Sequence, residues 1–307
     1  MSHYSPQRWV MLGYGPFGRR VLEVSLDQGW APVAVMTHLG PSDLDDVTVE
    51  SVARSAQLSV STANPNKEGL SWLRSLDPDV LFTVNYRLIL TTEVLAIPRK
   101  GGFNVHGSLL PRLRGRSPIT WAIILGHDET GVTVHTLRPE VDTGDVVVQS
   151  RIPIELADTS ASIQSQMLEL YPRLVEGTLR DVATGTLTTQ PQVGEPTYGK
   201  VRHPEDGEIS WHWSARQVYN WVRALTRPYP GAFTYQDGVP MRIWKAAAVE
   251  LPDATGRQLG EVIGTCIFPS GKVGWAVTCG DGIVCIEEYE TDAELKAGAR
   301  LGVGPST

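Results

Sequence analysis

The sequence predicts an α/β fold in two parts, a Rossmann-like and mostly parallel sheet followed by a small C-terminal β-barrel of the OB-like type. In the first half, short apolar runs alternate with stretches of helical periodicity, which is the pattern of right-handed βαβ crossovers. In the last third, short strand-like runs are joined by glycine turns such as PSGK and CGDG, which is typical of a small antiparallel barrel. A length of 307 residues also exceeds that of an average domain. We therefore expect two domains, each with its own core.

The elements of the first domain follow one another from residue 9 to residue 185. WVMLGYG predicts a strand, FGRRVLEVSLDQG a helix and APVAVMTH the next strand. TVESVARSAQL and GLSWLRSLDP predict helices, whereas LSVSTA, DVLFTVNY and GGFNVHG predict extended segments. The last segment, from Thr159 to Gly185, predicts a long closing helix with a Thr or Ser cap, in which Pro172 marks a kink or a break.

A passage rich in Pro, Gly and Thr, GTLTTQPQVGEPTYGK, predicts a linker between the domains. We expect the catalytic domain to cover residues 1–190, the linker 191–205 and the barrel 206–307. Near the start of the barrel domain, Ser214-x-x-Gln217 predicts a capping box for a helix. The apolar face of that helix carries Val218, Trp221, Val222 and Leu225. The strands predicted after it are MRIWKAAAV, GEVIGTCIF, VGWAVTC and GIVCIEEY.

Composition and charge narrow the function classes. The formal net charge is −7 and the chain has no block of basic residues, which disfavours nucleic acid as a partner. The chain also has no long apolar run, and its start has no secretion signal, so we expect a cytoplasmic protein without a membrane partner. Cys266, Cys279 and Cys285 lack CxxC spacing and nearby histidines, which predicts buried reduced thiols and neither a metal site nor a disulfide framework.

A glycine motif near the start, Gly13-x-Gly15-x-x-Gly18, has the spacing of a dinucleotide-binding loop. Such a loop needs an acidic residue at the end of the second strand to hold the ribose. There the sequence has Met36, Thr37 and His38. We therefore expect no NAD, and we interpret the glycines as a tight turn from strand to helix.

The stretch GGFNVHGSLLPRLRGRSP carries the strongest chemical signal. Asn104 and His106 lie on one face of the predicted strand FNVH because side chains alternate along a strand. The proline- and glycine-containing loop that follows predicts a shaped and positively charged binding loop. Its cations are Arg112, Arg114 and Arg116.

About thirty residues later, a strand holding Thr133 and His135 runs into the turn VDTGD, which contains Asp142. If this strand adjoins FNVH, then Asn104, His106 and Asp142 converge at the carboxyl edge of the sheet, where open α/β sheets bind ligands. On the residues alone, an ordinary Asx-Gly turn and a structural histidine remain the alternative.

The residues 103–149, FNVHGSLLPRLRGRSPITWAIILGHDETGVTVHTLRPEVDTGDVVVQ, resemble the signature of the 10-formyltetrahydrofolate-dependent formyltransferases. In that family an Asn-x-His pair, an SLLPxxRG loop, a TGVT strand and an Asp-x-Gly turn occur in this order. The likeness extends through YRLIL to EISWHWSARQVYNWVRALTRPYPGAF, which is similar to the start of the family's C-terminal domain. The resemblance therefore covers nearly the whole chain. It implies an N-formyltransferase that uses 10-formyltetrahydrofolate as its co-substrate, with neither metal nor NAD.

The resemblance also implies roles for particular residues. Asn104 and His106 would donate hydrogen bonds to the oxyanion that forms at the formyl group. Asp142 would orient His106 and help to remove the proton from the attacking amine, directly or through water. The folate would be bound by Tyr86, Arg87, Leu88, Ile89, Glu140, Val141, Gly144 and Asp145. The acceptor would be bound by Gly13, Tyr14, Gly15, Ser108, Leu109, Arg112 and Arg114.

The acceptor amine is less sharply indicated. Methionyl-tRNA formyltransferases carry a long basic insertion after the second strand, where this chain has the short acidic HLGPSDLDDVTVESV, which disfavours tRNA. HGSLLPRLRGRSP, TGVTVH and RALTRPYPGAF resemble the domain that formylates UDP-4-amino-4-deoxy-L-arabinose, so a nucleotide-linked amino sugar is favoured. Formylation of an amino acid derivative such as N5-hydroxyornithine for siderophores is the alternative, and a formyltetrahydrofolate hydrolase is less favoured. The barrel domain is predicted to support packing or a homodimer.

Overall fold

The computed structural model describes residues 8–39, 47–250 and 258–302. The chain divides into two compact units, and each unit combines several stretches of sequence. The first unit comprises Met1–Pro118, Glu129–Pro153 and Gln164–Gly199, and the second comprises Ile119–Asp128, Ile154–Ile163 and Lys200–Thr307. This division differs from the predicted boundaries at residues 190 and 206, because two internal stretches belong to the second unit and residues 191–199 belong to the first.

The first unit is built on a seven-stranded sheet. In chain order, the strands of this unit are β1 (Trp9–Gly13), β2 (Ala34–Met36), β3 (Ser59–Ser61), β4 (Val80–Val84), β5 (Gly102–His106), β6 (Arg114–Gly115), β7 (Glu129–Thr136), β8 (Val146–Pro153) and β9 (Tyr198–Gly199). The order across the sheet is β3-β2-β1-β4-β5-β7-β8, and β6 and β9 form a separate parallel pair. The first five strands are parallel, whereas β7 and β8 are antiparallel to their neighbours. The predicted mostly parallel sheet is confirmed.

The centre of the sheet consists of the most apolar runs in the first half of the chain. Every residue of β1, WVMLG, and of β4, VLFTV, is buried. Continuous apolar runs are what a parallel strand needs when both faces of the sheet are covered.

The helices are α1 (Gly15–Asp27), α2 (Val49–Ser55), α3 (Leu70–Ser75), α4 (Thr92–Leu95), α5 (Pro118–Ile124), α6 (Ser160–Thr184) and α7 (Ala215–Leu225).

The glycine motif makes the tight turn that the sequence predicts. Gly15, the first residue of α1, has φ +63°, a backbone conformation that glycine adopts without steric cost. A Cβ atom on Gly18 would lie 3.0 Å from the backbone carbonyl carbon of Gly13, so the helix approaches the end of β1 too closely for a side chain. Tyr14, between them, donates its backbone N–H to the carbonyl of Val84 at 3.1 Å.

The long helix α6 begins and ends at the predicted signals. Thr159 caps its first turn, because the Thr159 Oγ1 accepts a hydrogen bond from the backbone N–H of Ser162 at 3.2 Å. The helix ends before Gly185, whose φ of +72° is typical of a C-terminal cap. Pro172 lies inside the helix and does not end it, so the break considered for this position does not occur.

The second unit contains the antiparallel sheet. Its strands are β10 (Ala232–Gln236), β11 (Val239–Glu250), β12 (Val262–Ile267), β13 (Val273–Cys279) and β14 (Gly282–Thr291). They are ordered β10-β11-β14-β13-β12. Leu301 pairs with Gln236 at the end of β10, and Arg300 pairs with Glu261 beside β12. These two bridges join the edges of the sheet, which agrees with the predicted small barrel.

Helix α7 has the predicted cap and the predicted apolar face. The Ser214 Oγ accepts from the backbone N–H of Gln217 at 3.1 Å, and the Gln217 Oε1 accepts from that of Ser214 at 2.9 Å. Val218, Val222 and Leu225 lie in the core of this unit, with Trp221 packed against it. The capping box and the side of the helix that is buried are therefore confirmed.

The three thiols lie on barrel strands and are free. Cys279 is buried, whereas Cys266 and Cys285 are half-buried, so the prediction of burial holds for one thiol of the three. Across residues 8–39, 47–250 and 258–302, none of the helices has the length and apolar character required to cross a membrane.

Candidate active site

Three polar side chains lie together on β5 and on the turn between β7 and β8. Asn104 and His106 stand on β5, and Asp142 stands on the turn. The Asn104 Nδ2 is 3.4 Å from the Asp142 Oδ1, and the His106 Nδ1 is 3.6 Å from the Asp142 Oδ2. The juxtaposition arises because β5 pairs with β7, with His106 opposite Thr133. Their roles in catalysis stay a prediction.

Asp142 is a buried carboxylate that is held in its ionised form. Burial alone would raise its pKa, but the charge of His106, the contact with His135 and the backbone N–H of Gly115 outweigh burial and hold the pKa of Asp142 well below its ordinary range. The Gly115 N–H donates to the Asp142 Oδ2 at 2.8 Å. Asp142 also has φ +54°, in the left-handed region that Asp tolerates better than most residues.

Asn104 is oriented by two neighbours. Its Oδ1 accepts from the Thr83 hydroxyl at 2.7 Å, and its Nδ2 lies 3.0 Å from the His135 Nε2. The His135 Nδ1–H donates to the carbonyl of Thr136 at 2.9 Å, which leaves Nε2 as the acceptor for Asn104. The second N–H of Asn104 then points toward Asp142. His135 therefore helps to fix the orientation of the Asn104 carboxamide.

His106 is fixed by a carbonyl of the loop that follows β5. Its Nε2–H donates to the carbonyl of Leu113 at 2.8 Å, so Nδ1 is the nitrogen that faces Asp142. Leu113 has φ +55°, and its backbone N–H donates to the Thr197 Oγ1 at 2.8 Å. The separation of 3.6 Å between the His106 Nδ1 and the Asp142 carboxylate is longer than a normal hydrogen bond.

The start of the loop after β5 is held by one hydroxyl of the loop and one of β7. The Ser108 hydroxyl donates to the carbonyl of Arg112 at 2.6 Å, and the Thr133 hydroxyl donates to the carbonyl of Ser108, also at 2.6 Å. The Leu109 side chain lies against Gly131, where a Cβ atom would collide with it. Ser108 and Leu109, predicted to bind the acceptor, therefore shape the loop through internal contacts.

The three arginines of this loop are in different environments. The Arg114 guanidinium donates to Gln192 and to the Tyr198 hydroxyl, and the Arg116 guanidinium donates to the carbonyl of Arg87 at 3.2 Å. Arg112 is exposed, and its side chain has no hydrogen bond or ion pair with the residues that the structure describes. Of the two arginines predicted to bind the acceptor, Arg112 is thus the more available.

An aromatic cluster stands where β1, β2 and β4 end. The His38 ring stacks on Tyr86 with centroids 4.4 Å apart and meets the edge of Tyr14 at 5.3 Å. The Arg87 guanidinium lies 4.1 Å from the centre of the Tyr14 ring, and its backbone N–H donates to the His38 Nε2 at 3.2 Å. Burial and the charge of Arg87 lower the pKa of His38, so the ring is neutral. Tyr14, predicted on the acceptor side, therefore contacts Arg87 directly and Tyr86 through His38, and both of these residues were predicted on the folate side.

Most of the remaining residues predicted to bind folate are exposed, whereas Gly144 is buried and Asp145 is half-buried. Leu88 is 36% exposed, Ile89 63% and Val141 40%, and large apolar side chains left this open are candidates for ligand contact. Gly144 and Asp145 form the turn with Glu140 at its start, where the Glu140 carbonyl accepts from the Thr143 hydroxyl. The acidic stretch SDLDD, residues 42–46, on which the argument against tRNA depends, lies outside the described residues.

Three residues that were not predicted as site residues contact the predicted ones: His38, His135 and Gln192. His135 and His38 carry a signal in the sequence, since both stand at or next to the ends of predicted strands. Gln192 carries none, because it lies in a passage with the composition of a linker. Within the described part of the chain, no three His, Cys, Asp or Glu side chains are grouped so that they could hold a metal ion.

Two family models match this chain. The model described as Formyl transferase matches residues 39–177, and the model described as Formyl transferase, C-terminal domain, matches residues 202–300. Together they match more than half of the chain, and the first match includes Asn104, His106 and Asp142.

Solved structures with the same fold support this match. An N-formyltransferase from Helicobacter canadensis, in complex with folinic acid and dTDP-3-aminofucose, is 18% identical with a TM-score of 0.67, over 92% of this chain and 100% of that chain. HypX from Aquifex aeolicus in complex with tetrahydrofolic acid is 19% identical with a TM-score of 0.62, over 94% of this chain and 45% of that chain. Methionyl-tRNA formyltransferase from Clostridium thermocellum is 17% identical with a TM-score of 0.58, over 89% of this chain and 99% of that chain. The chain thus spans a little under half the length of HypX.

Proposed function

This chain belongs to the formyl transferase family and is a formyl-transferring enzyme, and we propose that it moves the formyl group of 10-formyltetrahydrofolate to the amine of a small polar acceptor. The observation that carries the proposal is the ionised Asp142, which faces His106 across 3.6 Å and contacts Asn104. Two hydrogen-bond donors and one carboxylate are the groups that acyl transfer between amines requires.

The three side chains have separate roles in this reaction. The neutral amine attacks the formyl carbon, and negative charge develops on the formyl oxygen. The Asn104 N–H that His135 does not accept, together with the ring of His106, donates hydrogen bonds to that oxygen. Asp142 accepts the proton that the attacking nitrogen loses, directly or through water. The bond from the formyl carbon to N10 of the folate then breaks, and N10 takes up a proton as it leaves.

The residues predicted to hold the folate are suited to it in chemistry. The turn from Glu140 to Asp145 and the segment from Tyr86 to Ile89 offer backbone groups, and a pterin presents a row of donors and acceptors. The exposed apolar side chains on these segments suit the flat rings of a folate. The relatives from Helicobacter canadensis and Aquifex aeolicus were solved with folate compounds, which supports the same co-substrate here.

We favour a nucleotide-linked amino sugar as the acceptor. The relative from Helicobacter canadensis was solved with dTDP-3-aminofucose, and this chain carries an exposed arginine, Arg112, on the loop that follows the Asn104 and His106 strand. A guanidinium matches the oxygen geometry of a diphosphate. The half-buried rings of His38 and Tyr86, beside the buried Tyr14, offer an aromatic surface to the base of such an acceptor.

The test is the release of tetrahydrofolate, measured by absorbance, with 10-formyltetrahydrofolate and one acceptor at a time. The acceptors are UDP- and dTDP-amino sugars, N5-hydroxyornithine, ornithine and methionyl-tRNA. We expect release only with an amino sugar nucleotide, together with a product that mass spectrometry shows to be heavier by one formyl group.

Other outcomes assign a different function. Release with N5-hydroxyornithine alone would identify an amino acid derivative as the acceptor, and release with methionyl-tRNA alone would show that a tRNA is the acceptor. Release without any amine would identify a hydrolase. No release under any condition would contradict the folate co-substrate.

Replacing Arg112 by glutamine tests the contact with an anionic acceptor. We expect the KM for the sugar nucleotide to rise about tenfold, the loss of one charge-assisted hydrogen bond, with the KM for the folate unchanged. Arg54→Gln is the matched control, because Arg54 is an exposed arginine that pairs with Glu50 on α2. Equal KM values for Arg112→Gln and the wild type would show that Arg112 does not bind the diphosphate of the acceptor.

Replacing His135 by leucine tests the orientation of Asn104. The substitution leaves one N–H of Asn104 without its acceptor, and we expect kcat to fall about tenfold. His135→Gln keeps a side-chain oxygen that can accept, and it is expected to recover part of the loss. Steady-state kinetics with both variants check this, and wild-type kcat in His135→Leu would show that Asn104 needs no such support.

A further inference from the structure

Gln192 makes four hydrogen bonds to the two segments that form the candidate site. Its Nε2 donates to the backbone carbonyls of Asp142 and Gly144, each at 2.8 Å. Its Oε1 accepts from the Arg114 Nε at 3.1 Å and from the Arg114 Nη2 at 2.7 Å. The carboxamide therefore connects the turn that carries Asp142 with the loop that carries Arg114.

This pattern uses the full hydrogen-bonding capacity of a carboxamide. Both N–H groups donate and both lone pairs of the oxygen accept. Only one orientation is possible, because a flipped amide would place its oxygen against two carbonyls and its nitrogen against two guanidinium donors. Among side chains of this length, only glutamine offers two donors and an acceptor in this arrangement.

Gln192 belongs to a strap, residues 190–199, that runs along both segments. Gln190 pairs with Val146 through backbone groups, just after the turn that carries Asp142. Further along, the Thr197 Oγ1 accepts from the N–H of Leu113, and β9 pairs with β6. The strap therefore holds Leu113, whose carbonyl fixes His106, and Gly115, whose N–H binds the Asp142 carboxylate.

The strap also accounts for the state of Asp142. The carboxylate keeps its low pKa partly because the Gly115 N–H reaches it, and Gly115 lies on the segment that Arg114 ties to Gln192. Asp142 itself is held at φ +54° by hydrogen bonds to its backbone carbonyl and to that of Gly144. A shift of either segment by about 1 Å would separate Asp142 from both Gly115 and His106, and such shifts are costly in catalysis.

We propose that Gln192 is a positioning residue for formyl transfer, which holds the Asp142 turn and the Arg114–Gly115 segment at the separation that the reaction requires. This inference rests on the proposed function. It also reassigns Arg114 from the acceptor to the strap, because three of its N–H groups are used by Gln192 and Tyr198.

The first experiment compares Gln192→Ala with Gln190→Ala. Gln190 is an exposed glutamine of the same strap that pairs through its backbone, so its side chain is the matched control. We expect Gln192→Ala to lower kcat about tenfold or more, while the KM for 10-formyltetrahydrofolate changes less than about threefold. Gln190→Ala is expected to behave like the wild type. Equal kcat values for both variants and the wild type would overturn the proposal.

The second experiment follows the Asp142 carboxyl directly, by NMR of protein labelled with ¹³C at the aspartate Cγ, with the signal assigned by its absence in Asp142→Asn. His106, His135 and the Gly115 N–H stabilise the ionised form of Asp142, burial destabilises it, and the buried Tyr171 interacts electrostatically with it. In Gln192→Ala, the carboxylate moves away from Gly115 and His106, so we expect its pKa to rise toward the ordinary value. An unchanged titration would show that Gln192 has no effect on Asp142.

Gln192→Glu covers the case in which the alanine variant does not fold. Its carboxylate keeps the bonds to Arg114 and loses those to the two carbonyls, so we expect the same rise in the Asp142 pKa and the same loss of kcat. Wild-type titration and kcat in this variant would contradict the proposal. Because the NMR titration needs no substrate, it separates a failure of this inference from a failure of the proposed formyl transfer.

Discussion

Asp142→Asn is expected to reduce kcat for formyl transfer at least about a hundredfold while the protein remains folded. Asparagine keeps the size of the side chain and, like aspartate, tolerates the left-handed backbone found at this position, φ +54°. It cannot accept a proton from the amine. It also has a single oxygen for the Gly115 N–H, and its NH₂ group then faces Asn104, from which the carboxylate had accepted a hydrogen bond.

The matched control is Asp77→Asn. Asp77 is likewise an aspartate with a left-handed backbone, φ +44°, but its carboxylate is exposed and pairs with Arg99. Any cost of placing asparagine in this conformation is shared by the two variants, so the difference in kcat reports the lost carboxylate at residue 142. Circular dichroism and thermal unfolding confirm that both proteins are folded.

His106→Ala gives the complementary result. We expect a loss of kcat of at least about a hundredfold, since the donor to the oxyanion and the partner of Asp142 disappear together. If Asp142→Asn and His106→Ala both turned over at the wild-type rate, the reaction would take place elsewhere. If only Asp142→Asn were active, the general base would be another group or water, and the role of His106 would stand.

The shared face of Asn104 and His106 could be predicted because alternation along a strand is a short-range rule. The approach of Asp142 was predicted only on the condition that its strand adjoins FNVH, because the pairing of β5 with β7 joins residues about thirty positions apart. His135 belongs to the same strand pair, opposite Asn104, but its role depends on which ring nitrogen is bound by the Thr136 carbonyl. No pattern in the sequence fixes that choice.

Gln192 and the domain boundaries could not be predicted for a different reason. The contact between Gln192 and Asp142 spans 50 residues of sequence, and it involves backbone carbonyls that every residue possesses. The passage around Gln192 has the composition of a linker because its side chains are mostly exposed, while its backbone and a few hydrogen-bonding groups attach it to the first unit. The amino-acid composition of a segment indicates that its side chains are exposed, but it does not indicate which other segment its backbone pairs with.

Gly144→Ala is expected to destabilise the first unit by about 3 kcal/mol or more, a large effect for a single methyl group. A Cβ atom at this position would overlap the backbone carbonyl oxygen of Thr136 and would lie 2.8 Å from the Thr136 Oγ1. Thr136 is the last residue of β7, and its backbone N–H and hydroxyl both bind Asp145, so it cannot move aside without opening the turn. Opening the turn also breaks the bond from Gln192 to the Gly144 carbonyl and releases Asp142.

Gly177→Ala provides the opposite result in the same unit. Gly177 lies inside α6, and a Cβ atom there meets only the end of the Arg180 side chain at an ordinary 3.7 Å. Alanine in a helix is more stable than glycine, so we expect a gain of about 0.5–1 kcal/mol. Chemical denaturation of both variants measures the two effects. A small change in Gly144→Ala, with kcat retained, would mean that the turn moves without cost and does not fix Asp142, whereas a large loss of both stability and kcat would show that the turn geometry holds the carboxylate in place.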